Sequence, residues 1–320
     1  MVWRVRTAAN ADCNGGEMKV ALIGCGQWGR NLARVFNELG VLGMVCDPVI
    51  WNDCPVPVWS DVDFGCMSLA GIDAIAIATP AETHYDLALR ALQAGKDVFV
   101  EKPMALSLEQ GRALVTAAQA YDRILMVGHI LEYHPAVVEL IRQVHAGELG
   151  EIKYMYSNRL SLGRVREHED VMWSFMPHDI AVMLRLRGIP DTVTATGTRN
   201  TAVLSLSWGE GTDAHIFASW EHPFKENRLV VVGSEKSLVF DGGYETLTEP
   251  SHNNLHHHWI RTPGTEPLLL ECWAFVEACR TRVPPLADGI SGLNVLNVLE
   301  HAQVSIKLGE CTNLYGIKVG

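Results

Sequence analysis

Residues 98–106, VFVEKPMAL, place two opposite charges and a proline where an apolar strand ends. A lysine held at such a strand end can hydrogen-bond a ligand hydroxyl or carbonyl oxygen. Pro103 restricts the backbone of Lys102 to extended angles, and the bond between them could also be cis. Glu101 would then steady a cofactor or the Lys102 ammonium. The alternative is a surface ion pair, the commoner role of a Glu-Lys dipeptide.

A second candidate for chemistry is His178, in VMWSFMPHDIAVMLRL. Pro177 is typical of a helix start and would place His178 in the first turn, where the helix dipole keeps an imidazole neutral. Such a ring can accept the proton of an alcohol, while Lys102 stabilises the negative charge that develops on the same oxygen. Ser174 shares a helix face with His178 if one helix includes both. The alternative for His178 is a helix-start histidine without a chemical role.

Oxidation of an alcohol also needs a hydride acceptor, and a site for one is predicted near the N-terminus. In KVALIGCGQWGRNLARVFNELG, a short apolar strand precedes glycines in GxGxxG spacing, and apolar residues at helical period follow. The first glycine allows a tight turn, the second lets the backbone approach a diphosphate, and the third permits close helix packing. The predicted phosphate-binding loop contains Gly24, Gly26, Gln27, Trp28 and Gly29. Its alternative is a set of glycines that only turn a corner.

Asp47 ends the next predicted strand, where a carboxylate can accept both hydroxyls of the adenosine ribose. It would repel a 2′-phosphate, and Pro48 rather than an arginine follows, so NAD is favoured over NADP. The alternative for Asp47 and Pro48 is the start of a turn. Thr79, Pro80 and His84, around the end of the apolar run IDAIAIATP, are further cofactor candidates, and helix capping is an equal alternative for His84.

The order of segments predicts an α/β protein with two sheets. Strand-like and helix-like segments alternate to about residue 128, which predicts a doubly wound parallel sheet. Ligands of such sheets bind beyond the carboxyl ends of the strands, so Lys102 is expected beside the nicotinamide. After residue 128, strand-like segments follow one another, which is typical of an antiparallel or mixed sheet. The predicted division is a loose leader (1–17), a dinucleotide-binding domain (18–128) and a second α/β domain (129–320).

Composition excludes several functional classes. A formal charge of −11 over 320 residues, without a basic cluster, argues against nucleic-acid binding. No apolar run is long enough to span a bilayer, and the first residues contain no secretory signal. The eight cysteines have no metal-type spacing, so reduced thiols in a cytoplasmic protein are predicted. The tract HNNLHHHW, residues 252–259, is interpreted as a polar loop, and no metal site is predicted.

The segments GCGQWG, ATPAETH, VEKPMAL and GHILEYHPAVVELI…GELG, together with Asp47, resemble the glucose–fructose oxidoreductase, inositol dehydrogenase and rhizopine-catabolism (Gfo/Idh/MocA) family in order and spacing from Met18 onward. The resemblance implies a Rossmann domain and a second domain with a mostly antiparallel open sheet that forms homodimer or homotetramer contacts. It also implies a pyranose or cyclitol substrate. Lys102 takes the place of the family's catalytic or substrate-binding lysine.

The family usually carries an Asp-x-x-x-His motif in the second domain, and here Ser174 stands in place of the aspartate before His178. The chain also resembles, less specifically, the branch of UDP-N-acetylglucosaminuronate 3-dehydrogenases of surface-polysaccharide synthesis. This resemblance implies oxidation of a nucleotide-linked sugar at C3. Asp179 is interpreted as a structural or cofactor-domain contact near the substrate.

Three further residues are predicted near the substrate. Tyr133 follows the last strand of the first domain. Arg159 and Arg164 could bind a substrate carboxylate or diphosphate through bidentate bonds, or belong to a solvated basic loop. Two rivals to the NAD-dependent sugar dehydrogenase remain at this point. One is a ketosugar reductase, and the other is a non-catalytic regulator that binds cofactor and sugar.

Overall fold

A parallel sheet forms the first half of the chain. The computed structural model describes residues 18–49, 51, 53–163, 169–209, 212–242, 246–251, 254–261 and 264–314. Its first sheet consists of β1 (Val20–Ile23), β2 (Leu42–Cys46), β3 (Val58–Trp59), β4 (Ala74–Ile77), β5 (Asp97–Glu101) and β6 (Leu125–Gly128). The strand order is β3-β2-β1-β4-β5-β6, and neighbouring strands are parallel. This is the predicted doubly wound sheet, and its order reverses between β1 and β4.

Helices cover both faces of this sheet, which explains its apolar strands. They are α1 (Gln27–Glu38), α2 (Phe64–Leu69), α3 (His84–Gln93) and α4 (Leu108–Ala120). All residues of β1 and β4 are buried, as expected for strands covered on both faces. The elements β3 and α2 escaped prediction because they are only two and six residues long, too short to show a period.

A second, mostly antiparallel sheet follows. It consists of β7 (Ile152–Leu162), β8 (Thr192–Gly197), β9 (Thr201–Ser207), β10 (Asp213–Ser219), β11 (Glu221–Gly233), β12 (Ser237–Phe240), β13 (Thr246–Ser251), β14 (Asn254–Arg261) and β15 (Thr312–Asn313). The order is β14-β13-β12-β11-β7-β10-β9-β8-β15, and only the β7–β10 pair among these described strands is parallel. The helices of this second half of the chain are α5 (Pro135–His145), α6 (Val171–Phe175), α7 (Pro177–Arg187), α8 (Pro267–Thr281) and α9 (Gly289–Leu308).

Two predictions about local structure are wrong. The tract interpreted as a polar loop contains β14, whose backbone pairs with β13 at the edge of the sheet, where polar strands are tolerated. Thr83 and Asp86 have the spacing that predicts a capping box at the start of α3, but the Thr83 hydroxyl donates to Thr79 and Pro80 instead. Ser107 and Gln110 have the same spacing before α4, and there the predicted cap forms, since Ser107 accepts from the Gln110 N–H.

The C-terminal helices return to the first sheet. Phe275 of α8 packs edge-on against Phe36 of α1 and Phe99 of β5, with ring centroids 6.4 and 5.7 Å apart. The helix α8 therefore packs on the same face of the first sheet as α1. Within the described residues, no helix is long and apolar enough to cross a bilayer. The predicted leader, residues 1–17, lies outside the described ranges.

Candidate active site

The glycine loop between β1 and α1 has the shape that a dinucleotide requires. Gly24 has φ +89°, and a Cβ there would lie 2.7 Å from the Ala78 carbonyl group. A Cβ on Gly29 would lie 2.1 Å from the Gly24 carbonyl oxygen. The chain itself therefore requires these two glycines. Gly26 differs, because no atom lies within 4 Å of its Cβ position, and this open space at the helix N-terminus fits a diphosphate.

Asp47 lies directly after β2 and faces the glycine loop. Its Oδ2 accepts from the Cys25 N–H at 2.6 Å, and its Oδ1 accepts from the Val49 N–H at 2.8 Å. A carboxylate oxygen accepts more than one hydrogen bond, so both oxygens can still bind ribose hydroxyls. The loop and the carboxylate thus meet at the position predicted for the adenosine half of NAD.

Glu101 ends β5 and contacts the same loop. Its carboxylate accepts from the Trp28 indole N–H, and Gly128 faces it so closely that a Cβ there would lie 2.9 Å away. Burial raises the pKa of Glu101 to about 7, against the Trp28 hydrogen bond and the Lys102 charge, which lower it. Glu101 is only 9 % exposed, so it does not belong to an ion pair at the surface, the alternative considered for Glu101 and Lys102. Gln27 is exposed beside Trp28.

Lys102 reaches from the first sheet to the second half of the chain. The Lys102–Pro103 peptide bond is cis. The Lys102 Nζ donates to the carbonyl oxygen of Ser174, in α6, at 2.6 Å. The Ser174 hydroxyl is buried and has no hydrogen-bond partner among the described residues. Ser174 therefore contributes its backbone carbonyl to the contact with Lys102.

His178 lies in the first turn of α7, as the sequence predicts. Met176 separates α6 from α7, because Pro177 has no N–H and interrupts the helical ladder. Ser174 and His178 are therefore on successive helices. Burial, then the positive charges of Lys102 and Arg159, holds the pKa of His178 well below its usual range. The ring is neutral mainly for this reason, and its buried Nδ1 has no partner in the described structure.

His129, the residue directly after β6, also lies at this site and was not predicted. Its ring lies 6.1 Å from that of His178, at an interplanar angle of 88°. Burial, followed by the charges of Lys102 and Arg185, lowers the pKa of His129 to about 3. The signal was available in GHILEYHP, because a polar residue that follows a parallel strand beside β5 must lie at the same sheet edge as Lys102.

Arg159 and Asp179 form a bidentate pair between β7 and α7. The Arg159 Nε donates to Asp179 Oδ2 at 2.7 Å, and its Nη2 donates to Oδ1 at 3.0 Å. The Ser157 hydroxyl donates to the same carboxylate. Asp179 is fully buried, which supports the structural role considered for it. The substrate contact of Arg159 stays a prediction, and Arg164 lies outside the described residues.

Two other candidates have structural partners. Both ring nitrogens of His84 face backbone carbonyl oxygens, those of Pro103 at 2.7 Å and Thr79 at 2.8 Å. Burial lowers the pKa of His84, against these two contacts. His84 thus joins the loop of Thr79 and Pro80 to the loop after Lys102. Tyr133 is buried and accepts from the Ala287 N–H, a position that favours packing over the predicted substrate contact.

The fold, the glycine loop and Asp47 define an oxidoreductase that binds a dinucleotide, and comparison with known proteins gives its family. Residues 18–129 match the family described as an oxidoreductase family with an NAD-binding Rossmann fold. The chain is 37 % identical over 261 residues to an inositol 2-dehydrogenase of Rhizobium meliloti, covering 74 % of this chain and 79 % of that protein. It belongs to the Gfo/Idh/MocA family of oxidoreductases, and NAD is its cofactor.

Another relative matches almost end to end. The chain is 28 % identical over 314 residues to a UDP-N-acetylglucosamine 3-dehydrogenase of Acidithiobacillus ferrooxidans, covering 91 % of this chain and 98 % of the relative. A solved structure of that enzyme superposes with a TM-score of 0.82 at 27 % identity, with the same shares of each chain covered. The predicted family and fold class are therefore confirmed.

Proposed function

We propose that this protein oxidises a secondary hydroxyl of a nucleotide-linked sugar, with NAD as the hydride acceptor. The main support is the contact that Lys102, at the end of β5, makes with the second half of the chain. His129 and His178 lie at the same end of the sheet. The Lys102 charge acts on the pKa of both histidines. This edge also adjoins the glycine loop, through the contact between Glu101 and Trp28.

Each residue has a defined part in the chemistry. Bound NAD supplies a nicotinamide ring that accepts a hydride from the sugar carbon. Lys102 binds the hydroxyl oxygen on that carbon and stabilises the negative charge that grows as the proton leaves. His178 accepts the proton, because its ring is neutral at physiological pH. The Ser174 carbonyl fixes the Lys102 ammonium. The C–H electron pair thus leaves with the hydride, and the O–H proton goes to His178.

Two observations bear on the sugar. A relative that matches nearly the whole chain is named for UDP-N-acetylglucosamine, which supports a UDP-linked N-acetyl sugar and oxidation at C3. A uronate, implied by the resemblance to the uronate branch, would need a cation for its carboxylate. Asp179 holds two of the nitrogens of the Arg159 guanidinium. We therefore favour the neutral N-acetyl sugar over the uronate.

The two rivals predict different measurements. A ketosugar reductase uses the same residues in reverse, and the ratio of NAD to NADH decides the direction. A non-catalytic regulator would bind both ligands without turnover. Ser174, in place of the family's aspartate, is the feature that favours this alternative. The unpartnered Nδ1 of His178, buried among the described residues beside the Lys102 charge, favours a catalyst.

The test is the appearance of NADH absorbance when NAD is mixed with UDP-N-acetylglucosamine, its uronate or free inositol. We expect turnover with the first, and its near-complete loss in Lys102→Met, while NAD affinity measured by calorimetry is retained. The matched control is Lys153→Met, which removes an exposed lysine of β7. Binding of both ligands without turnover in either direction would establish the regulator instead.

We also propose a homodimer or homotetramer formed through the second sheet in the cytoplasm. Tyr154 and Leu162 of β7 and Phe224 of β11 are 45 %, 75 % and 58 % exposed, an unusual exposure for large apolar residues of a central pair of strands. Light scattering gives the mass in solution. Tyr154→Lys with Phe224→Lys should reduce that mass, and a wild-type protein of monomer mass would remove the proposal.

A further inference from the structure

We propose that His129 binds the sugar directly, through hydrogen bonds between its imidazole and a ring hydroxyl beside the carbon that is oxidised. The inference rests on the proposed function and adds to it a residue that selects the substrate. The His129 side chain has an unusual environment. His129 is 1 % exposed, and neither ring nitrogen has a hydrogen-bond partner within the described part of the chain. Buried polar atoms are nearly always paired, so this pair of atoms requires an explanation.

The position of His129 in the sheet explains what its nitrogens face. Glu101 of β5 pairs with Gly128 of β6, so the residues that follow these two, Lys102 and His129, leave adjacent strands at the same edge. His178 approaches this edge from α7, with its ring perpendicular to that of His129. Polar side chains from three elements therefore meet at this end of the sheet. A ligand that binds among them would supply the hydrogen-bond partners that the described residues do not.

The strand order indicates that the partner of His129 is the sugar rather than the cofactor. The glycine loop follows β1, and the order continues through β4 and β5 to β6 at the edge. His129 thus leaves the strand farthest from the glycine loop on that side of the sheet. His178 belongs to the second half of the chain, where the substrate is expected. This placement favours a contact with the sugar over one with the nicotinamide carboxamide.

The chemistry of the ring selects a hydroxyl. An uncharged imidazole offers one N–H donor and one acceptor nitrogen, and a hydroxyl can both donate and accept. With a pKa of about 3, His129 stays uncharged at physiological pH, so it gives an anion no charge pairing. Lys102, which follows the adjacent strand, supplies a positive charge at this edge. His129 therefore suits a neutral ring hydroxyl, and its role is recognition.

The experiment measures binding of UDP-N-acetylglucosamine to the complex of the full chain with NADH, by calorimetry. This complex cannot reduce NAD, so binding is read without turnover. His129→Leu should weaken the sugar about tenfold, since one hydrogen-bonded pair is lost. His129→Gln, which keeps a donor and an acceptor, should restore most of the affinity. His215→Leu, which removes an exposed histidine of β10, should change nothing. NADH affinity should be the same in every variant.

The outcomes separate this inference from the proposed function. Sugar affinity that is unchanged in His129→Leu, or NADH affinity that falls as much as sugar affinity, would overturn the role of His129. If His129→Leu does not fold, the wild type and His129→Gln are compared with deoxy analogues of the sugar. Some analogue that lacks one hydroxyl must then lose affinity for the wild type, and equal affinity for all of them would contradict the inference. Sugar binding without any wild-type turnover would overturn the proposed catalysis alone.

Discussion

Replacement of Gly26 by alanine should weaken cofactor binding much more than it destabilises the fold. Gly26 has φ −66°, which alanine adopts freely, and its Cβ position is open to 4 Å. Gly26 is the N-cap of α1, where alanine is less favourable than glycine by about 1 kcal/mol at most. The melting temperature of the NAD-free protein should therefore fall by only about 2–4 °C.

The effect on NAD should be much larger. The new methyl group occupies the space through which a diphosphate approaches the backbone N–H groups of the loop. A hydrogen bond to a charged group contributes about 1.5–3 kcal/mol, so the loss of one weakens NAD binding roughly 10- to 150-fold. Calorimetric titration with NAD and thermal unfolding without it measure the two effects on the same protein.

A second glycine is the control for this argument. A Cβ at Gly29 would lie 2.1 Å from the Gly24 carbonyl oxygen, a backbone atom that cannot move aside. Gly29→Ala should therefore destabilise the protein itself, unlike Gly26→Ala. NAD affinity within twofold of wild type in Gly26→Ala would refute the assignment of the loop to the diphosphate. A large loss of stability in Gly26→Ala would refute the claim that the Cβ position of Gly26 is open.

Three further changes test other parts of the structure. Asp47→Ala should weaken NAD and relax discrimination against NADP, measured as the ratio of kcat/KM for the two cofactors, and an unchanged ratio would assign ribose recognition to another group. Asp179→Asn breaks the buried pair with Arg159 and should lower the free energy of unfolding, measured in urea, by about 3 kcal/mol. A loss near zero would mean that water hydrates the Arg159 guanidinium in place of the carboxylate. Glu271 of α8 is fully buried, and burial, then the charges of Glu101 and Glu132, raises its pKa well above its ordinary value. The folded chain keeps that proton while the unfolded chain loses it, so the free energy of unfolding falls as pH rises from the ordinary pKa of a glutamate to the raised one. Glu271→Gln should flatten this fall between pH 5 and pH 8, and an identical slope in both proteins would contradict the raised pKa.

Much of the fold was predictable because its signals are local. Strands buried on both faces form apolar runs, as in β4 and β5, and the glycines mark a loop that must turn sharply before a helix. The strand β9 also has a local signal, because its alternating residues Ala202, Leu204 and Leu206 are buried at period two.

Other local predictions failed because several conformations satisfy the same residues. A threonine hydroxyl can cap a helix or bind a nearby turn, and Thr83 does the latter because Thr79 and Pro80 present acceptors. A polar tract can form a loop or an edge strand, and the backbone partner supplied by β13 decides for a strand. Both choices depend on neighbours that local sequence does not specify.

The sequence by itself determined the cofactor class, because the glycine spacing and Asp47 act within one strand–helix–strand unit. It also identified Lys102 and His178 as candidates for chemistry. Only the tertiary structure decided what surrounds them. The Lys102 ammonium contacts the Ser174 carbonyl, and His129 lies against His178. Such contacts join residues that are distant in the chain, so they depend on how the two sheets and their helices pack, which no periodic pattern specifies.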